Sequence, residues 1–242
     1  MAGLNANKLP KAGSGGMKTQ DAIDAGTYPA RVVSILDLGL QPQRPYQGQD
    51  KPPKHEIRAT YELVDEFCVG DDGVELEDKP RWISEDFPFN SLSADLAKST
   101  KRYLALDPTQ KLGGDFTLLV DMPCMVTVVN KEGAGKNVGR VFNNVGAVSG
   151  MRPKEAAKAA PLVNPTKVFV LDDPDLEVFR SLPEFLQDKI KGNLEYKGSA
   201  LQRLLDGASG AWPKKEAKKE PKQAAKKVAE PTVDEDEDEG EW

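Results

Sequence analysis

HEIRATYELVDEF, from His55 to Phe67, alternates along its length: Ile57, Ala59, Tyr61 and Leu63 fall on one side, Arg58, Thr60 and Glu62 on the other. A period of two is the pleat of a strand with one face in a core and the other toward water. Upstream, GTYPARVVSILDLGL predicts a strand from about Tyr28 to Leu38, with Val33 and Ile35 on one face and Val32 and Ser34 on the other. The segment between them, QPQRPYQGQDKPPK, carries prolines that exclude both helix and ladder, so it is a long polar loop. Downstream, GDDG at Gly70 to Gly73 supplies a turn, and RWISEDF, Arg81 to Phe87, predicts a third, shorter strand.

The period then changes. Ser91 and Ser93 can cap a helix with Leu96, Tyr103 and Leu104 inward and Lys98, Lys101 and Arg102 outward, stopped at Asp107-Pro108. Two strands follow, PCMVTVVN (Pro123 to Asn130) and GRVFNNVGAV (Gly139 to Val148), joined by EGAGKN. Three strands, a helix and two strands is the element order of an OB-fold, a five-stranded Greek-key barrel that binds its ligand on strands two and three between the first and last hairpin loops. The predicted class is therefore mainly β, with one inserted helix, over residues 26–150.

Residues 151–210 read as a helical annex packed on the barrel. MRPKEAAKAAPLVNP is a connector with one helical turn. Asp173 with Pro174 begins a short helix, and Ser181 to Glu184 forms a capping box for a second that Gly192 ends. Leu176, Phe179, Phe185, Leu186 and Ile190 supply an apolar stripe, and SALQRLLD has its own box at Ser199 and Gln202. Residues 1–20 are a Gly-, Lys- and Asn-rich lead expected to be disordered, and residues 211–242 a disordered linker and acidic tail.

In the OB arrangement Arg44, Tyr46, Lys51 and Lys54 of the first loop face Lys131, Lys136 and Arg140 of the last across one groove, with Arg58, Arg81, Trp82 and Phe142 on the strands between. Single-stranded nucleic acid suits such a mixture: Lys and Arg follow phosphates while aromatic faces stack bases without regard to sequence. Tyr61 alternates with Ile57 and Leu63 and reads as core; Trp82, beside Ile83, is open between core and platform.

Charge and composition narrow the partners. The chain of 242 residues has a formal net charge of -6. Lys214 to Lys227 holds seven Lys against two Glu, a net +5, and Val228 to Trp242 holds eight acids and no base, a net -8, which leaves -3 for the body. The body is not globally basic, so a nucleic-acid site is a local patch. Cys68 and Cys124 lack metal-ligand spacing and are too few for a disulfide framework, as in a reducing cytosol. No apolar run is long enough for a membrane span.

Catalysis has little footing. His55, the one histidine, has no Ser or Cys placed to use it and reads as a surface residue, and GAGKN lacks the first glycine and the Ser/Thr of a P-loop. Acid pairs at Asp65-Glu66, Asp71-Asp72, Glu77-Asp78 and Glu85-Asp86 are the raw material of a metal-dependent nuclease, though solvated charge accounts for them better. No cofactor or metal is expected.

At the end of the chain, Asp234, Glu235, Asp236, Glu237, Asp238 and Glu239, then Glu241 and Trp242, form a run whose like charges prevent packing. A terminal indole beside a free carboxylate is a compact anchor for a partner's pocket with a basic rim. The plainer alternative is a solubility tail with an incidental Trp.

The block DAGTYPARVVSILDLGLQPQRPYQGQDKPPKHEIRATYELVDE, the RVFNNV strand, DKIKGNLEYKGSALQRLL and the acidic, aromatic-ended tail together resemble a single-stranded DNA-binding protein of tailed bacteriophages. Here Trp242 stands where such tails carry a terminal Phe. The resemblance implies an OB-fold that coats replication and recombination intermediates in the cytoplasm of an infected bacterium. It also implies a tail that recruits phage or host DNA polymerase, helicase-primase or recombination proteins, and that lowers DNA affinity by occupying the groove. The expected function is sequence-independent binding of single-stranded DNA without enzymatic activity. The rivals are a protein-binding adaptor with an OB-like barrel and, behind it, the nuclease.

Overall fold

The computed structural model describes residues 20–208. The fold is mainly β, a six-stranded sheet with a few short helices. Five strands run in the order β3-β2-β1-β4-β5, every neighbouring pair antiparallel: β1 (Gly26–Gln41), β2 (Lys54–Val69), β3 (Glu75–Pro88), β4 (Pro123–Glu132) and β5 (Val141–Gly150). A short β6 (Lys167–Phe169), which the sequence pattern does not predict, lies parallel to β1 at Ser34 to Leu36. Helix α1 (Lys98–Leu106) falls between β3 and β4; α2 (Pro153–Ala156), α3 (Leu176–Ser181), α4 (Glu184–Lys191) and α5 (Ala200–Ala208) follow the last long strand.

β1 organises the molecule. One of its edges pairs with β2 from Ala30 to Gln41, while the other pairs first with β4, Gly26 to Arg31, and then with β6. Register shifts at Val32/Ser34 and Asp37/Gly39 each disturb the ladder. An extra residue in one strand reverses which side chains face inward beyond it. Ala30, Val32 and Ile35 therefore enter one core, and Leu36 and Leu38 a second on the opposite side. This corrects the expected split of Val32 from Ile35: the alternation is broken by a bulge that period counting does not register. β2 keeps its predicted faces, with Ile57, Ala59, Tyr61 and Leu63 all in the first core.

That first core is closed by Tyr103 and Leu106 of α1 and by Phe116 and Leu119 of a 3-10 turn. The second lies between the back of β1 and the annex, where Phe169, Phe179, Leu182, Leu186, Ile190 and Leu201 meet Leu36 and Leu38. β1 is thus paired along both edges and covered by apolar side chains on both faces.

Helix starts differ from the pattern reading. α1 begins after Ala97, which offers no side-chain cap, and Ser91 and Ser93 form a turn of their own, Ser93 N–H donating to Ser91 Oγ. Leu96 precedes the helix and is exposed, whereas Arg102, expected outward, is buried because Glu85 of β3 points in to meet it. In the annex Asp175, not Asp173, caps α3 by accepting from Glu177 and Val178 N–H. Ser181 belongs to the end of α3, donating to the Val178 carbonyl, so α4 starts without a box after Pro183 and Phe185 turns outward. Half of the Ser199 box is formed: Gln202 N–H donates to Ser199 Oγ at 3.1 Å, but the Gln202 side chain accepts from Gly198 N–H at 2.6 Å, because Ser199 N–H is taken by the Tyr196 carbonyl.

Candidate nucleic-acid interface

The alternation that buries Ile57, Ala59, Tyr61 and Leu63 turns Arg58, Thr60 and Glu62 to the other side of β2. Their partners on β3 are Asp86, Ser84 and Trp82. Each pair is bonded: Arg58 Nη1 donates to Asp86 Oδ1 at 2.8 Å, Thr60 Oγ1 and Ser84 Oγ lie 3.0 Å apart, and Trp82 Nε1 donates to Glu62 Oε2 at 2.9 Å. Cross-strand pairs of this kind stiffen a sheet face and leave its charges in fixed places.

Two hollows meet on this face. One is lined by Arg58, Ser84 and Asp86 together with Lys98, Lys131 and Asn144, so the exposed edges of β3 and β5 border one furrow. The second, at the base of the β1–β2 loop, is lined by Gln41, Arg44, Lys51, Glu56 and Lys189. Lys189 Nζ joins them, donating to Glu56 Oε2 and Asp86 Oδ2, each at 2.9 Å. Arg44, Lys51, Arg58 and Lys131 of the predicted set are thus brought along one track. Lys189 and Lys98 belong to it without having been predicted; no period or motif marks a lysine on an annex helix as a neighbour of β2.

The remaining predicted residues are distributed around this track. Lys54 is the exposed first residue of β2, and Tyr46 sits at the tip of the loop in a small hairpin, Lys51 Nζ 4.3 Å from its ring centroid. Trp82 is 48% exposed, its ring edge held by Glu62. Lys136 occupies the exposed turn of the β4–β5 loop. Arg81, Arg140 and Phe142 form a separate group: Arg81 donates to the Asp21 carbonyl, and Arg140 and Phe142 line a hollow with Gln20, Asp21, Asn130 and Asn143. The two asparagines are engaged in holding Ile23 there. Asp234 to Glu239, Glu241 and Trp242 lie outside the described residues, as do most of the predicted lead and linker.

The electrostatics of the track begin beneath it. Glu85 is buried and accepts from Arg102 Nε at 2.7 Å and Tyr61 Oη at 3.0 Å, with Lys98 Nζ at 2.9 Å. Arg102 also donates to the Gly146 carbonyl, linking β3, α1 and β5. Burial, with the Glu85 charge beside it, holds the Tyr61 phenol well above its ordinary value, so it stays a donor. For Lys189 burial works against the charge, but the bonds to Glu56 and Asp86 outweigh it and raise the pKa. Within the track Arg58, Lys98 and Lys189 are held in place by carboxylates of the protein itself.

Groups that could do chemistry are engaged elsewhere. His55 Nε2 is 2.6 Å from Asp37 Oδ1, and that bond raises its pKa. Cys124 is buried and its thiol is pushed up to about 12. Among the described residues no cluster of His, Cys, Asp and Glu is placed to hold a metal ion, and no helix is long and apolar enough to cross a membrane. Set against known proteins, the chain matches no protein-family model and no curated protein.

Proposed function

We propose that this chain binds single-stranded DNA without sequence preference and without catalysis, coating replication and recombination intermediates. The observation that carries the reading is the cationic track from Arg44 and Lys51 through Lys189 and Arg58 to Lys98 and Lys131. Phosphates are recognised by such a line of fixed cations, and exposed aromatic faces beside it supply stacking. The strand order β3-β2-β1-β4-β5, the helix between β3 and β4, and the Arg102–Glu85–Gly146 link between β3 and β5 support reading the five long strands as an OB-type barrel.

In this reading each cation of the track that neutralises a phosphate releases counterions, so affinity falls steeply with salt, while the carboxylates Glu56 and Asp86 act as internal competitors that phosphate must displace. The acidic tail ending in Trp242 competes in the same way and, once displaced, is offered to replication proteins. Anisotropy of a labelled single-stranded oligonucleotide, titrated with the full chain and with a chain ending at Ala229 at two salt concentrations, tests both parts. Tighter, salt-sensitive binding by the shortened chain is expected; no binding by either form leaves the adaptor reading in its place.

A further inference from the structure

Beside the cationic track lies another cleft with a different lining. It is formed where α4 crosses the outer face of β1, β2 and β3, and it encloses about 220 Å³. Val33, Leu36, Leu182 and Leu186 make its apolar walls, and the bonded Thr60–Ser84 hydroxyl pair adds a polar patch. Two aromatic side chains border it, Trp82 from β3 and Phe185 from α4, and they are 48% and 61% exposed. Arg58 and Lys167 complete the lining, with the Arg58 guanidinium 5.7 Å from the Phe185 ring centroid.

Single exposed aromatics are ordinary on a protein surface, but two of them bordering one apolar-walled cleft mark a binding site. A volume below the roughly 300 Å³ of pockets for drug-sized ligands suits one planar ring system. We propose that this cleft is a nucleobase subsite, built jointly by the sheet and the annex helix, in which one base of the bound strand enters beside Trp82 and Phe185 while Arg58 and Lys167 receive its flanking phosphates. The inference rests on the single-stranded DNA reading and extends it: α4 is part of the binding site, and the strand leaves the track at Arg58, a residue common to both hollows. The buried Glu62 carboxylate accepts from Trp82 Nε1 at 2.9 Å, Val163 N–H at 2.7 Å and Asn164 Nδ2 at 2.7 Å, which holds the indole edge in place.

The test uses the full chain carrying Trp212→Phe and Trp242→Phe, which leaves Trp82 as the one tryptophan and serves as reference for every comparison. Oligothymidylate labelled at one end reports binding by anisotropy while Trp82 emission reports the cleft. The expected result is quenching of Trp82 in parallel with binding, and a loss of affinity of about 10-fold on adding Phe185→Ala, the size of one lost stacking contact. Because Phe185 is mostly exposed, that variant keeps its fold, which its thermal transition verifies. Binding with unchanged Trp82 emission and no effect of Phe185→Ala overturns the subsite while leaving the DNA reading intact. Tighter binding by Phe185→Ala overturns it too, by showing that the cleft holds a competitor such as the chain's own tail. Absence of binding by the reference chain overturns both.

Discussion

Arg102→Ala is the perturbation with the clearest consequence. Arg102 is 7% exposed, and its guanidinium meets both oxygens of Glu85, at 2.7 and 3.1 Å. Removing one member of a buried ion pair leaves the other charge desolvated and costs about 3–5 kcal/mol. Lys98 remains 2.9 Å from Glu85, which places the expectation at the lower end, about 3 kcal/mol. With a urea dependence of about 2 kcal/mol per molar, the unfolding midpoint falls by about 1.5 M. Replacing both partners, Glu85→Met with Arg102→Met, removes the charges together; both variants lose the bond to the Gly146 carbonyl, Lys98 is exposed enough to be solvated, and the cost particular to the double variant is the Tyr61 hydroxyl left without its acceptor, about 1–3 kcal/mol. The double variant is therefore expected to be no less stable than Arg102→Ala, despite carrying one more substitution. Urea unfolding followed by circular dichroism measures both. If Arg102→Ala proves clearly the more stable of the two, the account of Glu85 as a charge needing neutralisation is wrong.

Three further outcomes follow from the geometry. Gly39→Ala should cost more than about 2 kcal/mol, measured by thermal unfolding, because Gly39 has φ +76° and an added Cβ would stand 2.7 Å from Asn193 Cγ and Leu171 Cδ1. His55 is the sole histidine, so one NMR titration reads it; its pKa is expected above the ordinary 6.5 because of Asp37. A raised folded pKa means the stabilisation from this pair is complete below the unfolded value and disappears as pH rises through the folded one. Relative to His55→Asn, the protein should thus be more stable in mild acid and lose that margin toward alkaline pH. Lys131→Ala should weaken binding of single-stranded DNA and lower the slope of log affinity against log salt by about 0.7, the value for one phosphate contact on a single strand; an unchanged slope would remove Lys131 from the interface.

What the sequence determined by itself was local. Alternation in β2 identifies a strand and its buried face because a pleat has a period of two, and the turn at Gly70 to Gly73 and the stop at Asp107-Pro108 follow from backbone preferences of single residues. The order of strands and helix follows in turn, and so do the basic residues of two loops. Contacts between residues distant in the chain were decided only by the tertiary structure. The bulge at Val32/Ser34 decides which β1 side chains enter which core, and Arg102 turns inward because Glu85, 17 positions away, offers it a charge. Lys189 reaches Asp86 across 103 positions, and Phe185 and Trp82 line one cleft because α4 packs over the sheet. Periodicity reports how a side chain relates to its own strand or helix; which element it then meets is set by the packing of the two cores, to which every part of the chain contributes at once.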